Sequence, residues 1–147
     1  MNLKNLRRQI DAIDAKISGL LNLRAKVTLS IAKLKKKSGK SIYSPDRERE
    51  VLQKITQGSK GPLSSAALQA IYREIMSGCL SLEKPLKVAY LGPEATFTHL
   101  AALKRFGSQV KYIASESIAD VFLEVERGTA DYGVVPIENS IEGAVTH

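Results

Sequence analysis

The N-terminal part of the chain carries an apolar repeat that is typical of one long helix. Apolar side chains recur at spacings of three and four residues, at Leu3, Leu6, Ile10, Ile13, Ile17, Leu20, Val27, Ile31 and Leu34. Such a heptad repeat predicts a stripe that is buried against other helices. Arg24 occupies one position of the same stripe. A buried guanidinium is costly unless it is paired, so an anionic ligand is its simplest partner.

Start and stop signals predict two more helices in the first half. A polar stretch with a glycine, residues 35–40, ends the first helix. Ser44 is a good N-cap and is followed by proline, so a second helix begins there and ends near Gly58. A third helix begins at Ser64 or Ser65. Its apolar face consists of Leu68, Ile71, Ile75, Cys79 and Leu82.

After Pro85 the pattern changes to alternating strands and helices. The predicted strands are 86–91, 110–114 and 132–135, with helices from Thr96 or Thr98 to Phe106 and from Ser117 to about Arg127 between them. This order predicts a parallel sheet with crossover helices. We therefore expect an all-α domain over 1–84 and an incomplete α/β domain over 85–147. Three strands and a tail at 141–147 make a poor closed domain, so we expect a fragment of a larger protein.

Charge is divided unevenly between the two halves. The net charge is +7, with 17 Lys and Arg against 7 Asp and Glu in residues 1–85, and 5 against 8 in residues 86–147. A basic half attracts phosphates, carboxylates or nucleic acid, and charge alone does not choose among them. The single cysteine excludes an internal disulfide framework and a Cys-rich metal site. Without a signal peptide or an 18-residue apolar run, we expect a cytoplasmic location.

The basic residues of the first helix predict a site shared between two chains. Arg24 and Lys35 are 11 residues apart, which is a rotation of about 1100°, so they project from nearly the same face. Arg7 lies about 25 Å from Arg24 along a straight helix, too far for one small ligand to touch both. An antiparallel partner helix would bring a second copy of Arg7 beside Arg24. The geometry therefore favours a homodimer.

Each candidate residue also has a structural explanation. Arg7 is compatible with a solvated surface position, and Lys35 with a solvated basic run. Arg24 could set helix register. Glu48 near a helix start would stabilise the helix dipole in any case. The remaining two have equally simple explanations, a surface acid for Glu83 and a small core residue for Cys79.

Taken together, these residues match a known family. Residues 3–83 resemble the all-helical chorismate mutases fused to bacterial prephenate dehydratases, through Leu-Arg-x-x-Ile-Asp-x-Ile-Asp at 6–14, Asp-Arg-Glu-Arg at 46–49 and Tyr-Arg-Glu-Ile-Met-Ser at 72–77, with Arg24 and Lys35. Residues 86–147 are similar to the start of the dehydratase, through Leu-Gly-Pro-Glu-Ala-Thr-Phe-Thr at 91–98 and Pro-Ile-Glu-Asn-Ser-Ile-Glu-Gly at 136–143. The resemblance implies an intertwined three-helix dimer followed by a periplasmic-binding-protein-like α/β segment.

The resemblance also implies roles. Arg24 and the partner subunit's Arg7 would hold the two carboxylates of chorismate. Lys35 would donate to a carboxylate and to the breaking ether oxygen, which Glu83 would address from the other side. Glu48 would accept from the ring hydroxyl. The rearrangement of chorismate to prephenate needs no cofactor, metal or nucleophile, so orientation and donors at the ether oxygen carry the catalysis.

Other positions support this site or depart from the family pattern. Arg47 would support one end of the pocket. Ser44 lies where some relatives have aspartate, and Cys79 where a small hydroxyl residue can occur, so their contacts with substrate stay open. Ala95 replaces a glycine that is usual in the dehydratase motif.

Two other functions remain open on the sequence alone. A basic helical dimer could bind nucleic acid through Lys33 to Lys40, although the domain has few aromatic residues for stacking. The helices could also form a dimerisation module without catalytic activity. Our preferred interpretation includes neither nucleic acid nor a membrane as partner. The Thr-Arg-Phe motif of the dehydratases is absent from the sequence, so we expect no dehydratase activity from this chain alone.

Overall fold

A computed structural model of the chain describes residues 1–139 and 143–144. The first half folds into helices α1 (Leu3–Lys37), α2 (Pro45–Gly58) and α3 (Ser65–Glu83). The predicted starts of α2 and α3 are confirmed: Ser44 and Ser64 are the N-cap residues, and the Ser64 hydroxyl accepts from the Ala67 amide. The Ser44 side chain makes no capping hydrogen bond.

The N-terminal half of α1 extends away from the rest of the chain. Only the C-terminal part of α1 packs on α3, and α2 also packs on α3. The predicted burial of the apolar stripe is therefore not met within one chain: Leu3 is 63% exposed and Leu20 is 64% exposed. The other stripe residues that remain exposed are Leu6, Ile10, Ile13, Ile17, Val27, Ile31 and Leu34.

The second half forms the predicted parallel sheet. Its elements are β1 (Lys87–Leu91), α4 (Phe97–Phe106), β2 (Lys111–Ser115), α5 (Ile118–Glu126) and β3 (Tyr132–Val134). The strand order is β2-β1-β3, with both neighbours parallel to β1. Crossover helices between parallel strands explain this order. The second strand begins and ends one residue later than predicted, since Ser115 rather than Ala114 is its last residue.

The end of the chain adds a short element that was not predicted. Strands β4 (Glu138–Asn139) and β5 (Gly143–Ala144) form an antiparallel pair. Residues 140–142 and 145–147 lie outside the described residues. They include most of the predicted tail at 141–147 and part of the 136–143 motif. Ala95 has φ +63°, in the left-handed region that favours glycine. This backbone conformation gives a physical reason for the glycine that is usual there.

The two halves share one hydrophobic core, which the change of pattern at Pro85 did not predict. Tyr43, from the loop between α1 and α2, and Leu80 of α3 belong to the helical half. They pack in one buried cluster with Leu86, Val88, Phe106 and Val110 from the α/β half. A second cluster, made of Ala89, Val121 and Ala130, lies on the other face of the sheet. Burial of apolar surface thus holds the halves together.

Polar contacts surround this shared core. Glu74 of α3 accepts from the Ser108 amide at 3.0 Å, and the Ser77 hydroxyl accepts from the Gln109 amide at 3.2 Å. At the other end of the interface, Lys84 donates to Asp131 at 2.9 Å. No described helix is long and apolar enough to cross a membrane.

α3 closely approaches the end of α4 at Gly107, so substitution of this glycine should strongly destabilise the fold. Gly107 has φ +75°, and a Cβ there would lie 2.5 Å from the Ser77 Cβ. Gly128 has φ +74°, and a Cβ there would meet nothing within 4 Å. Gly128→Ala should cost about 1–2 kcal/mol in the free energy of unfolding, because only the backbone is strained.

Gly107→Ala should cost roughly 1–3 kcal/mol more than that, because its methyl group also overpacks the interface between the halves and its φ of 75° with ψ of −174° is a conformation that essentially only glycine adopts. Urea unfolding of the two variants measures the difference. Equal losses would show that the two halves do not pack as closely as described.

Candidate active site

A pocket of about 270 Å³ lies among the three helices and the loop that joins α1 to α2. It brings together seven of the eight residues that the sequence predicted for the site, namely Arg24, Lys35, Ser44, Arg47, Glu48, Cys79 and Glu83. The rest of its wall is mostly apolar and includes Val27, Ile31, Val51 and Leu80. Arg7, the eighth predicted residue, is exposed near the start of α1 and does not line this pocket.

Arg24 is half-buried and points at α3. Its Nη1 donates to the Cys79 Sγ at 3.2 Å. A thiol is a weak and neutral acceptor, and a guanidinium has five N–H donors. The Cys79 contact therefore leaves most of the hydrogen-bonding capacity and all of the charge of Arg24 for a ligand.

Lys35 is held in the pocket by the loop that follows α1. Its Nζ donates to the Ile42 carbonyl oxygen at 2.9 Å. The loop turns back at Gly39, where φ is +68°, and the Lys40 amide donates to the Lys35 carbonyl oxygen at 3.0 Å. An ammonium group has three donors, so two remain available after the bond to Ile42.

The start of α2 forms one end of the pocket. Ser44 is half-buried there, and its hydroxyl is not used to cap the helix. Arg47 lines the pocket but donates to Glu50 at 2.9 Å and is 61% exposed. Arg47 therefore belongs to the wall of the pocket while its guanidinium pairs with Glu50.

Two half-buried carboxyl groups face these cations. Burial raises the pKa of Glu48 above its ordinary value, while the positive charges of Arg105, Arg24 and Arg73 lower it. Burial likewise raises the pKa of Glu83, and the charges of Lys35 and Arg24 lower it. In both cases burial outweighs the cations, so each carboxyl holds its proton to a higher pH than an exposed glutamate.

The structure adds residues that the sequence did not single out. Tyr43 lines the pocket next to Ser44, and Arg73 acts on Glu48 from α3. Arg73 lies within the 72–77 segment that carries the family resemblance, so this motif could have identified it as a site residue. Arg105 comes from α4, far along the sequence, and no spacing rule connects it with Glu48.

Family models match both halves of the chain. The model described as "Chorismate mutase type II" matches residues 6–84, more than half of the chain. The chain belongs to the chorismate mutase type II family. A second model, described as "Prephenate dehydratase", matches residues 88–147. The predicted resemblance to mutases fused to dehydratases is confirmed.

Curated relatives of this chorismate mutase family member are named "Bifunctional chorismate mutase/prephenate dehydratase". The protein of Aquifex aeolicus is 54% identical over 99% of this chain, and that of Pseudomonas aeruginosa is 49% identical over the same share. The chain spans 41% of the length of each. That of Escherichia coli K12 is 32% identical over 95% of this chain.

Solved chorismate mutases share the fold. Form II from Thermus thermophilus aligns with a TM-score of 0.55 and 29% identity, over 56% of this chain and 93% of that protein. The Helicobacter pylori chorismate mutase, solved in complex with prephenate, aligns with a TM-score of 0.52 and 34% identity, over 56% of this chain and 89% of that protein. The expected helical chorismate mutase fold is thereby confirmed.

Proposed function

We propose that this chain catalyses the rearrangement of chorismate to prephenate in the pocket between its three helices. The observation that carries the proposal is the convergence of Arg24, Lys35, Glu48 and Glu83 on one small cavity. The Helicobacter pylori relative, which shares the fold, was solved with prephenate, and the chain belongs to the chorismate mutase type II family. A continuous assay of chorismate loss tests the proposal directly.

The charges of the pocket suit a dianion. Arg24 and Lys35 supply two positive charges and unused donors. With Glu83 protonated and Glu48 ionised, the cations exceed the anions among these four residues. With the partner subunit's Arg7 as a third cation, a ligand with two carboxylates restores neutrality, and charge-assisted hydrogen bonds fix its orientation.

Catalysis then follows from orientation and electrostatics. Arg24 and the partner subunit's Arg7 hold the two carboxylates, so that the substrate stays in its folded conformer. Lys35 donates to a carboxylate and to the ether oxygen, where negative charge develops as the C–O bond breaks. Protonated Glu83 donates to the same oxygen from the other side, and Glu48 accepts from the ring hydroxyl. Arg47, Ser44 and Cys79 complete the substrate-binding wall.

We also propose that the active form is a homodimer. The apolar stripe of α1 is exposed in a single chain, and exposed stripes of this length mark interaction surfaces. An apolar groove of about 700 Å³ between α1 and α3 adds a second unfilled surface. An antiparallel α1 from a second copy would cover the stripe and bring the partner subunit's Arg7 towards Arg24.

The α/β half is proposed to be the start of a prephenate dehydratase domain of the periplasmic-binding-protein type. Residues 1–84 then form the mutase domain and residues 85–147 the dehydratase segment, in a cytoplasmic enzyme of phenylalanine biosynthesis that uses no cofactor and no metal. Without a Thr-Arg-Phe motif, this segment alone is expected to be inactive as a dehydratase.

Binding of nucleic acid and a silent dimerisation role are the alternative functions. The assay of chorismate loss separates both of them from the mutase function.

Lys35 provides the first test of the mechanism. Lys35→Ala should reduce kcat by roughly 10²–10³-fold, because it removes a donor at the oxygen that gains charge. Lys37→Ala, two residues along the same helix and exposed, serves as the control and should keep normal turnover. Turnover by Lys35→Ala equal to that of the control would contradict the assigned role.

Glu83 provides a test by pH. Only the protonated carboxyl can donate to the ether oxygen, so kcat should fall as the pH rises through the pKa of Glu83, which burial raises. Glu83→Gln keeps a donor without titrating, and its alkaline limb should be flat. Glu116→Gln, an exposed position in the α/β half, should keep the wild-type profile. A profile left unchanged by Glu83→Gln would argue against the donor role.

Complementation between two inactive variants tests the shared site. Arg7→Ala and Arg24→Ala should each lose most of the activity. In a mixed dimer, the site with an intact Arg24 receives an intact Arg7 from the other chain, whereas the second site lacks both. Random mixing should therefore restore about a quarter of wild-type activity. If unfolding and refolding the variants together restores nothing, Arg7 does not act across a dimer interface.

A further inference from the structure

Two residues of the loop between α1 and α2 connect the pocket with the core that the two halves share. Ile42 and Tyr43 both line the pocket. Tyr43 is only 7% exposed and belongs to the shared buried cluster, and the Ile42 side chain packs against the same cluster. A displacement of this part of the core would therefore also displace the wall of the pocket.

Lys35 depends on the same loop for its place in the pocket. Its Nζ donates to the Ile42 carbonyl oxygen at 2.9 Å. The Ser41 hydroxyl donates to the Tyr43 carbonyl oxygen at 3.2 Å, which stabilises the backbone on both sides of Ile42. Because the Ile42 carbonyl belongs to the peptide group that joins Ile42 to Tyr43, the position of the Lys35 ammonium group follows the position of Tyr43.

Two aromatic side chains of the α/β half hold the Tyr43 ring. Its centroid lies 5.4 Å from that of Phe106, the last residue of α4, and 5.1 Å from that of Tyr132 on β3. The Phe106 and Tyr132 centroids are 5.5 Å apart, so the three rings contact one another. These separations lie in the range of about 4.5–7 Å in which aromatic pairs attract. The α/β half thus fixes the loop residue next to Ile42.

From these contacts we infer that Phe106 and Tyr132 are positioning residues of the mutase site. Through Tyr43 they fix the Ile42 carbonyl oxygen, and this oxygen holds the Lys35 ammonium group. The inference rests on the proposed function, in which that ammonium group donates to the ether oxygen. In the part of the chain that the structure describes, neither of the two residues lines the pocket, so they act through the loop. The α/β half thereby takes part in the mutase reaction.

The two roles proposed for Lys35 give the expected kinetic effect. Alignment with the ether oxygen matters in the transition state, whereas the charge of Lys35 attracts a carboxylate from many positions in the pocket. Loss of the ring contacts should therefore lower kcat much more than it raises KM. A misplacement of about 1 Å can cost about 100-fold in rate, so a loosened but intact loop should cost roughly tenfold.

Tyr132→Leu tests the inference in the full chain, with Tyr132→Phe as its matched control. Tyr132 lies at the edge of the three-stranded sheet, where a substitution is tolerated better than in the centre. Tyr132→Leu should lower kcat roughly tenfold and change KM by less than about twofold. Tyr132→Phe keeps the ring and should keep the wild-type kcat. Phe106→Leu, which removes the other ring, should act in the same direction as Tyr132→Leu.

Val121→Ala separates positioning from a general loss of stability. Val121 is 1% exposed and belongs to the second cluster, on the other face of the sheet. Its truncation should lower the free energy of unfolding but leave kcat unchanged at a temperature where the variant is folded. A fall in kcat as large as that of Tyr132→Leu would show that any destabilisation of the α/β half has this effect, and would overturn the inference.

A measurement without turnover separates the inference from the proposed function. Carbon NMR relaxation of isotope-labelled lysine, assigned with Lys35→Ala, reports the order parameter of the Lys35 side chain. The order parameter should fall in Tyr132→Leu and stay at the wild-type value in Tyr132→Phe. An unchanged order parameter or an unchanged kcat in Tyr132→Leu, with a wild type that turns over chorismate, overturns the positioning role alone. A wild type without turnover overturns the proposed function, and the role of the α/β half in that reaction with it.

Discussion

The placement of positive charge in a half-buried pocket is the constraint on which the rest of the site depends. Arg24 interrupts an apolar stripe and hydrogen-bonds only weakly, to a thiol. Lys35 is fixed by one backbone carbonyl. Two carboxyl groups that burial pushes towards their neutral forms offset these charges incompletely. Such an excess of positive charge in a half-buried pocket favours an anionic ligand, because a buried cation without a partner is costly.

The loop between α1 and α2 links this pocket to the remainder of the molecule. It begins where Gly39 turns the chain, and its Ile42 carbonyl holds Lys35. Next in sequence, Tyr43 enters the shared core, and Ser44 starts α2 without giving its hydroxyl to the helix. Adjacent residues of one loop thus hold a pocket side chain, pack in the core and begin α2. A shift of this loop would change all of these contacts together.

The shared core changes how the two halves should be viewed. Families of separate function match them, yet Leu80 of α3 packs with Val88 and Phe106 of the α/β half. Glu74 and Lys84 add polar contacts at the edges of the same interface. In this chain the pocket among the helices and the sheet are therefore parts of one packed body.

The sequence by itself determined the elements and most of the pocket. Periodicity and capping residues are local signals, and they predicted three helices and a parallel sheet. Helix spacing singled out Arg24 and Lys35, and the family resemblance supplied the other residues that meet in the pocket. The tertiary structure alone decided the contacts between distant segments: Tyr43 against Phe106, Glu74 against Ser108, and Lys84 against Asp131. Such contacts depend on how the loops orient one element against another. They also depend on which packing buries the apolar side chains of the whole chain most favourably. No spacing along the sequence encodes them.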